Sequence, residues 1–114
     1  MSVIQNAVAD FQSKLANDLK SVDVPEWKTR IYFRPSWSLK QQSEVNRLAF
    51  EGKRDEAMVE ALIIRSLDEN GDRVFKKSDK TELMTKVDPE VISRITIEMN
   101  REVELDEEDA VKNS

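Results

Sequence analysis

Residues 57–67 read Ala-Met-Val-Glu-Ala-Leu-Ile-Ile-Arg-Ser-Leu, and this stretch decides the fold. Its apolar residues cover nearly every side of a helix instead of forming one stripe. A helix that is apolar on nearly all sides is enclosed by other elements, whereas a surface helix keeps a polar face. We therefore predict that this stretch forms a central helix, around which the rest of the chain packs.

A turn and two helices are predicted after the central helix. Asn70-Gly71 predicts a tight polar turn, with Gly71 at a positive φ. Asp79 followed by Glu82 has the capping-box spacing that begins a helix, and Asp88-Pro89 places a cap residue and a first-turn proline before the last helix. The last helix is expected to pack through Val91, Ile92, Ile95 and Met99.

A strand is predicted before the central helix. From Trp27 to Arg34 every second residue falls on one face, which is the period of a half-buried strand, and Pro35 ends the pattern. One strand needs a partner, and we predict that Arg73-Val74-Phe75 pairs with it. Trp27 and Trp37 flank this strand, and filling the core and anchoring a partner both remain open as their roles.

Two more helices flank the strand. The first is amphipathic over residues 3–22, because six apolar residues recur at spacings of three and four. These residues are Ile4, Val8, Phe11, Leu15, Leu19 and Val22. So narrow a stripe fits docking on the core and fits pairing with a second copy of the chain, and the pattern leaves both open. The second helix begins with the capping box of Ser38 and Gln41 and should stop near Gly52.

Together these elements predict an α+β protein that is mainly α. Four to five helices pack around one apolar helix, with a small antiparallel β-hairpin. We divide the chain of 114 residues into an N-terminal amphipathic helix over 1–22, a core domain over 23–102 and a tail over 103–114. Residues 101–114 hold six acids against two bases, a net charge of −4, so this tail is predicted to be frayed or disordered.

The side-chain inventory argues against an enzyme. The chain has no cysteine and no histidine, the residues most often used for proton transfer, covalent attack and zinc binding. Gly52 and Gly71 are too far apart to form a phosphate-binding loop. We expect no catalytic residue and no cofactor. No apolar run approaches the roughly 18 residues of a membrane span, and the N-terminus lacks the pattern of a signal peptide, so no membrane partner is expected.

Two acidic groups resemble reactive sites only superficially. Asp68 to Asp72 has alternating oxygen donors, but a calcium loop needs glycine at its sixth position, whereas Gly71 is fourth. We therefore expect no metal site. Asp55 and Glu56 lie where a helix begins, and the helix dipole explains acids there without any catalytic role.

A basic region contrasts with the acidic chain. Residues 23–54 carry seven bases and four acids, a net of +3, within a chain of net charge −5. The compact candidate for a cluster of positive charge in this region is the strand face of Lys28, Arg30 and Arg34. A solvated strand face, a docking surface for an acidic protein segment, and nucleic-acid binding all remain open.

Six features follow one another between residues 26 and 102. They are Glu26-Trp27-Lys28, the strand Ile31 to Pro35, a polar helix, the apolar helix Met58 to Leu67, the turn Asp68 to Phe75, and the closing helix Asp88 to Asn100. In this order and spacing they resemble the tail assembly chaperones of long-tailed bacteriophages, the siphoviruses, of the lambda and HK97 type.

The resemblance implies a non-enzymatic role. Such a chaperone binds and solubilises the tape measure protein and recruits subunits of the major tail tube protein during tail assembly. Side-by-side association of several copies is implied, which makes the chain a homo-oligomer. The resemblance also implies action in the host cell cytoplasm and absence from the mature virion. In this family a programmed frameshift often makes a longer form, and we predict a slip site at Val111 to Asn113.

The resemblance supplies no binding motif that transfers residue by residue, so the interface is predicted from pattern alone. The first choice is the stripe Ile4, Val8, Phe11, Leu15 and Leu19. The second is the strand face Lys28, Arg30 and Arg34. The alternative function is a small phage-encoded regulatory or nucleic-acid-binding module, and an isoelectric point near 4.9 argues against nucleic acid as a partner.

Overall fold

The structure is a computed structural model that describes residues 2–17 and 19–112. Within these residues five α-helices accompany one two-stranded antiparallel sheet. In chain order the elements are α1 (Val3–Asn17), β1 (Lys20–Val24), β2 (Thr29–Phe33), α2 (Leu39–Phe50), α3 (Arg54–Arg65), α4 (Lys80–Thr85) and α5 (Pro89–Lys112). The predicted α+β, mainly α, fold class is confirmed.

Helix α3 lies at the centre of the core, as its apolar residues predict. Leu62 and Ile63 are buried and belong to one apolar cluster with both strands, α4 and α5. The other members of that cluster are Val22, Val24, Ile31, Phe33, Val59, Leu83, Val91, Ile92, Ile95 and Met99. The predicted packing of α5 through four apolar residues is therefore confirmed, and one core serves every element except α1 and α2.

The partner of β2 differs from the prediction. Strand β2 pairs with β1, in a register that places Val22 opposite Ile31. The Arg73-Val74-Phe75 stretch was the predicted partner, but it reaches β2 only indirectly, because Leu67 bridges both Tyr32 and Arg73. A hairpin between neighbouring strands closes a shorter loop than pairing across α2 and α3, so its entropic cost is smaller.

The boundaries of the first helix also need correction. Helix α1 ends at Asn17, and Val22 lies in β1, although both were predicted to lie in one helix over residues 3–22. The second helix agrees with its prediction, because the Ser38 hydroxyl and the Gln41 side chain each accept a hydrogen bond from the other's backbone N–H, at 3.2 and 3.1 Å. Gly52, at φ +82°, follows its end.

The polar turn after α3 forms as predicted. Asp68 Oδ1 accepts hydrogen bonds from the backbone N–H groups of Asn70 and Asp72, at 2.8 and 3.0 Å. Gly71 adopts a φ of +85°. The turn's oxygen donors are thus used to hold the backbone, which is the role expected of a tight turn.

The N-terminal caps of the two C-terminal helices, α4 and α5, agree with the predictions only for α5. The Asp88 carboxylate accepts a hydrogen bond from Glu90 N–H at 2.9 Å, as predicted for a cap. Asp79 instead accepts from Lys76 N–H at 2.7 Å, and makes no side-chain cap for α4, so the predicted pairing with Glu82 is wrong.

Helix α5 continues to Lys112 and so includes residues 103–112 of the predicted tail. The fraying or disorder of this tail stays a prediction. Glutamate, leucine and alanine in this stretch favour helix and offset the repulsion between acids. Residues 113 and 114 lie outside the described residues. The division of the chain into three units stays a prediction.

Candidate functional site

Helix α1 carries the apolar stripe that was predicted from the sequence as the first choice of interface, and part of this stripe is exposed. Val3 is 85% exposed, Ile4 is 70% exposed and Val8 is 48% exposed. Phe11 and Leu15 are half-buried and line a cavity against the body of the protein. The predicted interface stripe is therefore divided into an exposed half and a docked half.

Leu19, the last predicted residue of the stripe, lies beyond the end of α1 and is exposed. It follows the helix, so its position is not set by the spacing that groups the other four residues. The structure brings Ile4 and Val8 together on one helix with Phe11 and Leu15, and it separates Leu19 from them. Whether any of these residues binds a partner stays a prediction.

Arg34 attaches α1 to the body of the protein. Its Nε donates a hydrogen bond to the Leu15 carbonyl oxygen in the last turn of α1. A cation is favourable there, because the last carbonyls of a helix carry partial negative charge. The guanidinium also lies against Gly71, where a Cβ would be 2.7 Å from Nη2. Arg34 thus links α1, the end of β2 and the polar turn.

The other two bases of the predicted strand face lie in different settings. Lys28 precedes β2 and ends a short 3-10 turn with a φ of +54°. Arg30 Nε lies 2.7 Å from Asp23 Oδ1 on the paired strand. Because Arg30 and Arg34 are both engaged within the molecule, the three bases do not form one free cationic face.

The cavity between α1 and the body has a volume of about 340 Å³. We call it the arginine cavity, because Arg34, Arg65 and Arg73 all line it. Phe11, Leu15, Trp37 and Ile64 supply apolar walls. None of the described residues that line it is acidic.

Arg65 is the unusual residue of this cavity. It is only 6% exposed, and its guanidinium lies 5.0 Å from the ring centre of Trp37 and 5.8 Å from that of Phe33. Nη1 donates to Asn100 Oδ1 at 3.0 Å, whereas Nε and Nη2 have no hydrogen-bond partner. Burial lowers the pKa of Arg65 to about 10, so the side chain stays charged at neutral pH.

A second cavity, of about 370 Å³, is almost wholly apolar. We call it the apolar groove. Its lining residues are Trp27, Thr29, Ile31, Val74, Phe75, Leu83 and Val87. The rings of Trp27 and Phe75 meet edge to face, with centroids 6.3 Å apart. The Val74-Phe75 stretch, predicted to be a strand, instead forms part of this groove.

Both tryptophans are half-buried and have intramolecular contacts. Trp27 packs on Phe75, and Trp37 stacks over Arg65. These contacts agree with the packing role, and each ring also lines a cavity that a partner could enter. The sequence therefore located both residues, and anchoring of a partner stays a prediction.

Other kinds of site leave no trace in the described part of the chain. No group of three or more acidic side chains there is arranged to hold a metal ion. Among the helices of that same part, none is both long enough and apolar enough to cross a membrane.

Sequence reasoning missed Arg65 and the cavity around it. The available signal was its position, because Arg65 is the one charged residue between Ala61 and Leu67 in a helix that is apolar on nearly all sides. Charged residues are rarely buried without a partner. Such a position therefore singles out Arg65 before any coordinates are known.

Comparison with known proteins shows which solved structure shares the fold of this chain. No protein-family model matches the sequence, and no curated protein matches it. The solved structure of the bacteriophage HK97 tail assembly chaperone matches with a TM-score of 0.61 and 20% sequence identity, over 82% of this chain and 93% of that chain. The chain has the fold of a phage tail assembly chaperone. The predicted resemblance is thus confirmed for the fold of this chaperone type.

Proposed function

We propose that this protein is a tail assembly chaperone of a long-tailed bacteriophage. It binds and solubilises the tape measure protein and recruits tail tube subunits while the tail is built. The observation that carries this proposal is the fold match to the HK97 tail assembly chaperone over 82% of the chain. The ordered sequence features between residues 26 and 102 support the same role.

The surface of α1 supplies the chemistry that this role needs. A long amphipathic helix exposes apolar side chains that aggregate unless another surface covers them. Val3, Ile4 and Val8 are exposed on α1, and this exposure supports the proposal that they cover such side chains. Burying each of them contributes roughly 1.5–3 kcal/mol before the cost of association is subtracted.

The proposed role is non-enzymatic and requires several copies. One small chain covers only a short stretch of a long helix, so copies associate side by side as a homo-oligomer along it. The chaperone acts in the host cell cytoplasm and leaves before the virion is complete. A longer form made by frameshifting at Val111 to Asn113 belongs to the same proposal, and the codons of that stretch test it.

Co-expression with the tape measure protein of the same phage tests the role. The wild-type chain is expected to keep that protein in the supernatant and to co-purify with it. A variant carrying Ile4→Asp and Val8→Asp is expected to lower the soluble fraction about tenfold, because charge replaces apolar contact area. Failure of the folded wild-type chain to solubilise the tape measure protein would overturn the proposal.

A matched control uses the polar side of the same helix. Asn6→Asp and Ser13→Asp add the same charge to α1 at exposed polar positions. This variant is expected to solubilise the tape measure protein as well as the wild type does. Equal loss in both variants would assign the effect to net charge and not to the apolar surface.

Nucleic-acid binding, the alternative function, gains no support from the described residues. Arg30 pairs with Asp23, and Arg34 is bonded to Leu15. The chain as a whole carries a net charge of −5, which opposes approach to phosphates.

A further inference from the structure

Burial of the charged Arg65 side chain has a free-energy cost. Removing a charge from water is unfavourable unless partners replace the lost hydration. Arg65 is 6% exposed and has one polar partner, the neutral amide of Asn100. Among the residues whose side chains the structure describes, no carboxylate pairs with it, and two of its three nitrogens lack a hydrogen-bond partner there. The folded chain alone therefore leaves this guanidinium incompletely satisfied.

The two unpartnered nitrogens have a defined geometry. The N–H of Nε and one N–H of Nη2 point from the same edge of a planar guanidinium, and this edge matches the two oxygens of a carboxylate. Aromatic rings of Phe33 and Trp37 lie near the guanidinium, and Nη1 is engaged by Asn100. The unused edge is the one with which arginine binds a carboxylate in bidentate form. Both nitrogens are buried, so a carboxylate reaches them only when the side chains that cover this edge move.

The surroundings of Arg65 also favour an anion. Arg34 and Arg73 line the same cavity, and no acidic side chain does so among the described residues. Cations lining a cavity with apolar walls raise the local concentration of anions and strengthen their binding. A volume of about 340 Å³ is ample for an acidic side chain. The arginine cavity therefore fits a carboxylate carried on a polypeptide.

The chain itself offers a source of such carboxylates. Residues 102–109, which we call the acidic segment, contain six acids and no base. The backbone of α5 continues as a helix through this segment. We propose that the arginine cavity binds a carboxylate of the acidic segment from a second copy of this chain. Arg65 forms the bidentate contact, and Arg34 and Arg73 add attraction.

A labelled peptide of residues 101–114 provides the first test. Its binding is measured by fluorescence anisotropy to a full-length variant whose own acidic segment is neutralised. That variant carries Glu102→Gln, Glu104→Gln, Asp106→Asn, Glu107→Gln, Glu108→Gln and Asp109→Asn. Saturable binding that weakens as salt is raised is expected. Absence of binding would overturn the proposal.

Substitutions at the cavity make the test specific. Arg65→Gln, in this same background, is expected to weaken peptide binding about tenfold or more. Arg65→Lys keeps the charge but lacks the bidentate edge, so a similar loss is expected. Arg73→Gln leaves the buried residue intact and is expected to weaken binding several-fold. Arg47→Gln, outside the cavity, is the control and is expected to bind as before. Unchanged binding by folded Arg65 variants would overturn the assignment.

Mixing two defective proteins tests whether the contact joins two copies. The Arg65→Gln variant retains the acidic segment but has an altered cavity. The neutralised variant retains the cavity but lacks the acidic side chains. In sedimentation velocity an equimolar mixture is expected to associate about tenfold more tightly than either variant alone. A mixture that associates no better than its components would overturn the proposal. Equal binding of a polyglutamate peptide would overturn the assignment to this chain's own segment.

Discussion

Gly71 leaves room for the guanidinium of Arg34, which donates a hydrogen bond to Leu15 in α1. A Cβ at Gly71 would lie 2.7 Å from Arg34 Nη2, and the glycine has a φ of +85°. Non-glycine residues in the left-handed region cost about 1–2 kcal/mol. A side chain at Gly71 would therefore have two energetic costs, one from the left-handed backbone and one from displacing the guanidinium of Arg34.

Gly71→Ala is expected to destabilise the protein more than Gly52→Ala does. Gly52 has nearly the same φ, +82°, but nothing lies within 4 Å of where its Cβ would be. Gly52→Ala should therefore lower the free energy of unfolding by about 1–2 kcal/mol, and Gly71→Ala by more. Urea denaturation of the three proteins measures both losses. Equal losses would mean that the Arg34 contact adds no constraint.

Residue-level patterns in the sequence explain which local features could be predicted. The capping box of Ser38 and Gln41 and the glycine turn depend on neighbours in the chain, and both form as expected. Asp79 has a second local partner, the Lys76 N–H, and sequence gives no means to choose between partners. The burial of Arg65 depends on Phe33, Trp37 and Asn100, which are remote in sequence. Its site therefore could not be assembled from spacing alone.

Helices and strands were predicted best where the spacing of their apolar residues fitted only one type of element. Helix α3 is apolar on nearly all sides, and only an enclosed helix accommodates that pattern. Strand β1 was missed because Val22 continues the helical spacing of Leu15 and Leu19, while it also alternates with Val24. Short segments that fit both periods cannot be assigned locally. The contact with β2 decides between them, since Val22 pairs with Ile31 and both are buried.

One ion pair links the sheet to the last helix. Glu26 lies in the 3-10 turn between β1 and β2, and Arg94 lies in α5. Arg94 Nη2 is 2.8 Å from Glu26 Oε1, while Nη1 donates to Oε2. Hydrogen bonding from Arg94 lowers the pKa of Glu26 from 4.5 to about 2. The contribution of this pair to stability is therefore present above the ordinary pKa and is lost as the pH falls towards 2.

Glu26→Gln is expected to lower stability at neutral pH and to have a much smaller effect near pH 2. Only the ionised carboxylate gains from the contact, so the difference from wild type should shrink steadily as the pH falls from about 4.5 to 2. Urea denaturation over this range measures the difference. Arg94→Gln should reproduce it, and the double variant should add nothing further. A difference that is as large at pH 2 as at pH 7 would mean that Glu26 stabilises the fold in some other way.

The whole molecule has one apolar core, to which α3 contributes from the centre. Leu62 has no exposed surface, and its cluster includes residues of both strands, α4 and α5. Helix α1 contributes no residue to this cluster, and its Val3, Ile4 and Val8 are exposed. Stability and proposed binding therefore rely on different apolar residues, and mutations can separate them.

Leu62→Ala is expected to lower the free energy of unfolding by about 2–5 kcal/mol, because it opens a cavity in the shared core. A domain of this size is stable by only about 5–15 kcal/mol, so the loss is a large fraction of the whole. Tryptophan fluorescence and far-ultraviolet circular dichroism should still report one coincident transition, since the hairpin and helices share this core. Phe50→Ala is the control, because Phe50 is 92% exposed and should change stability by less than about 0.5 kcal/mol. Separate transitions for the two signals in Leu62→Ala would show that the hairpin and the helices unfold independently.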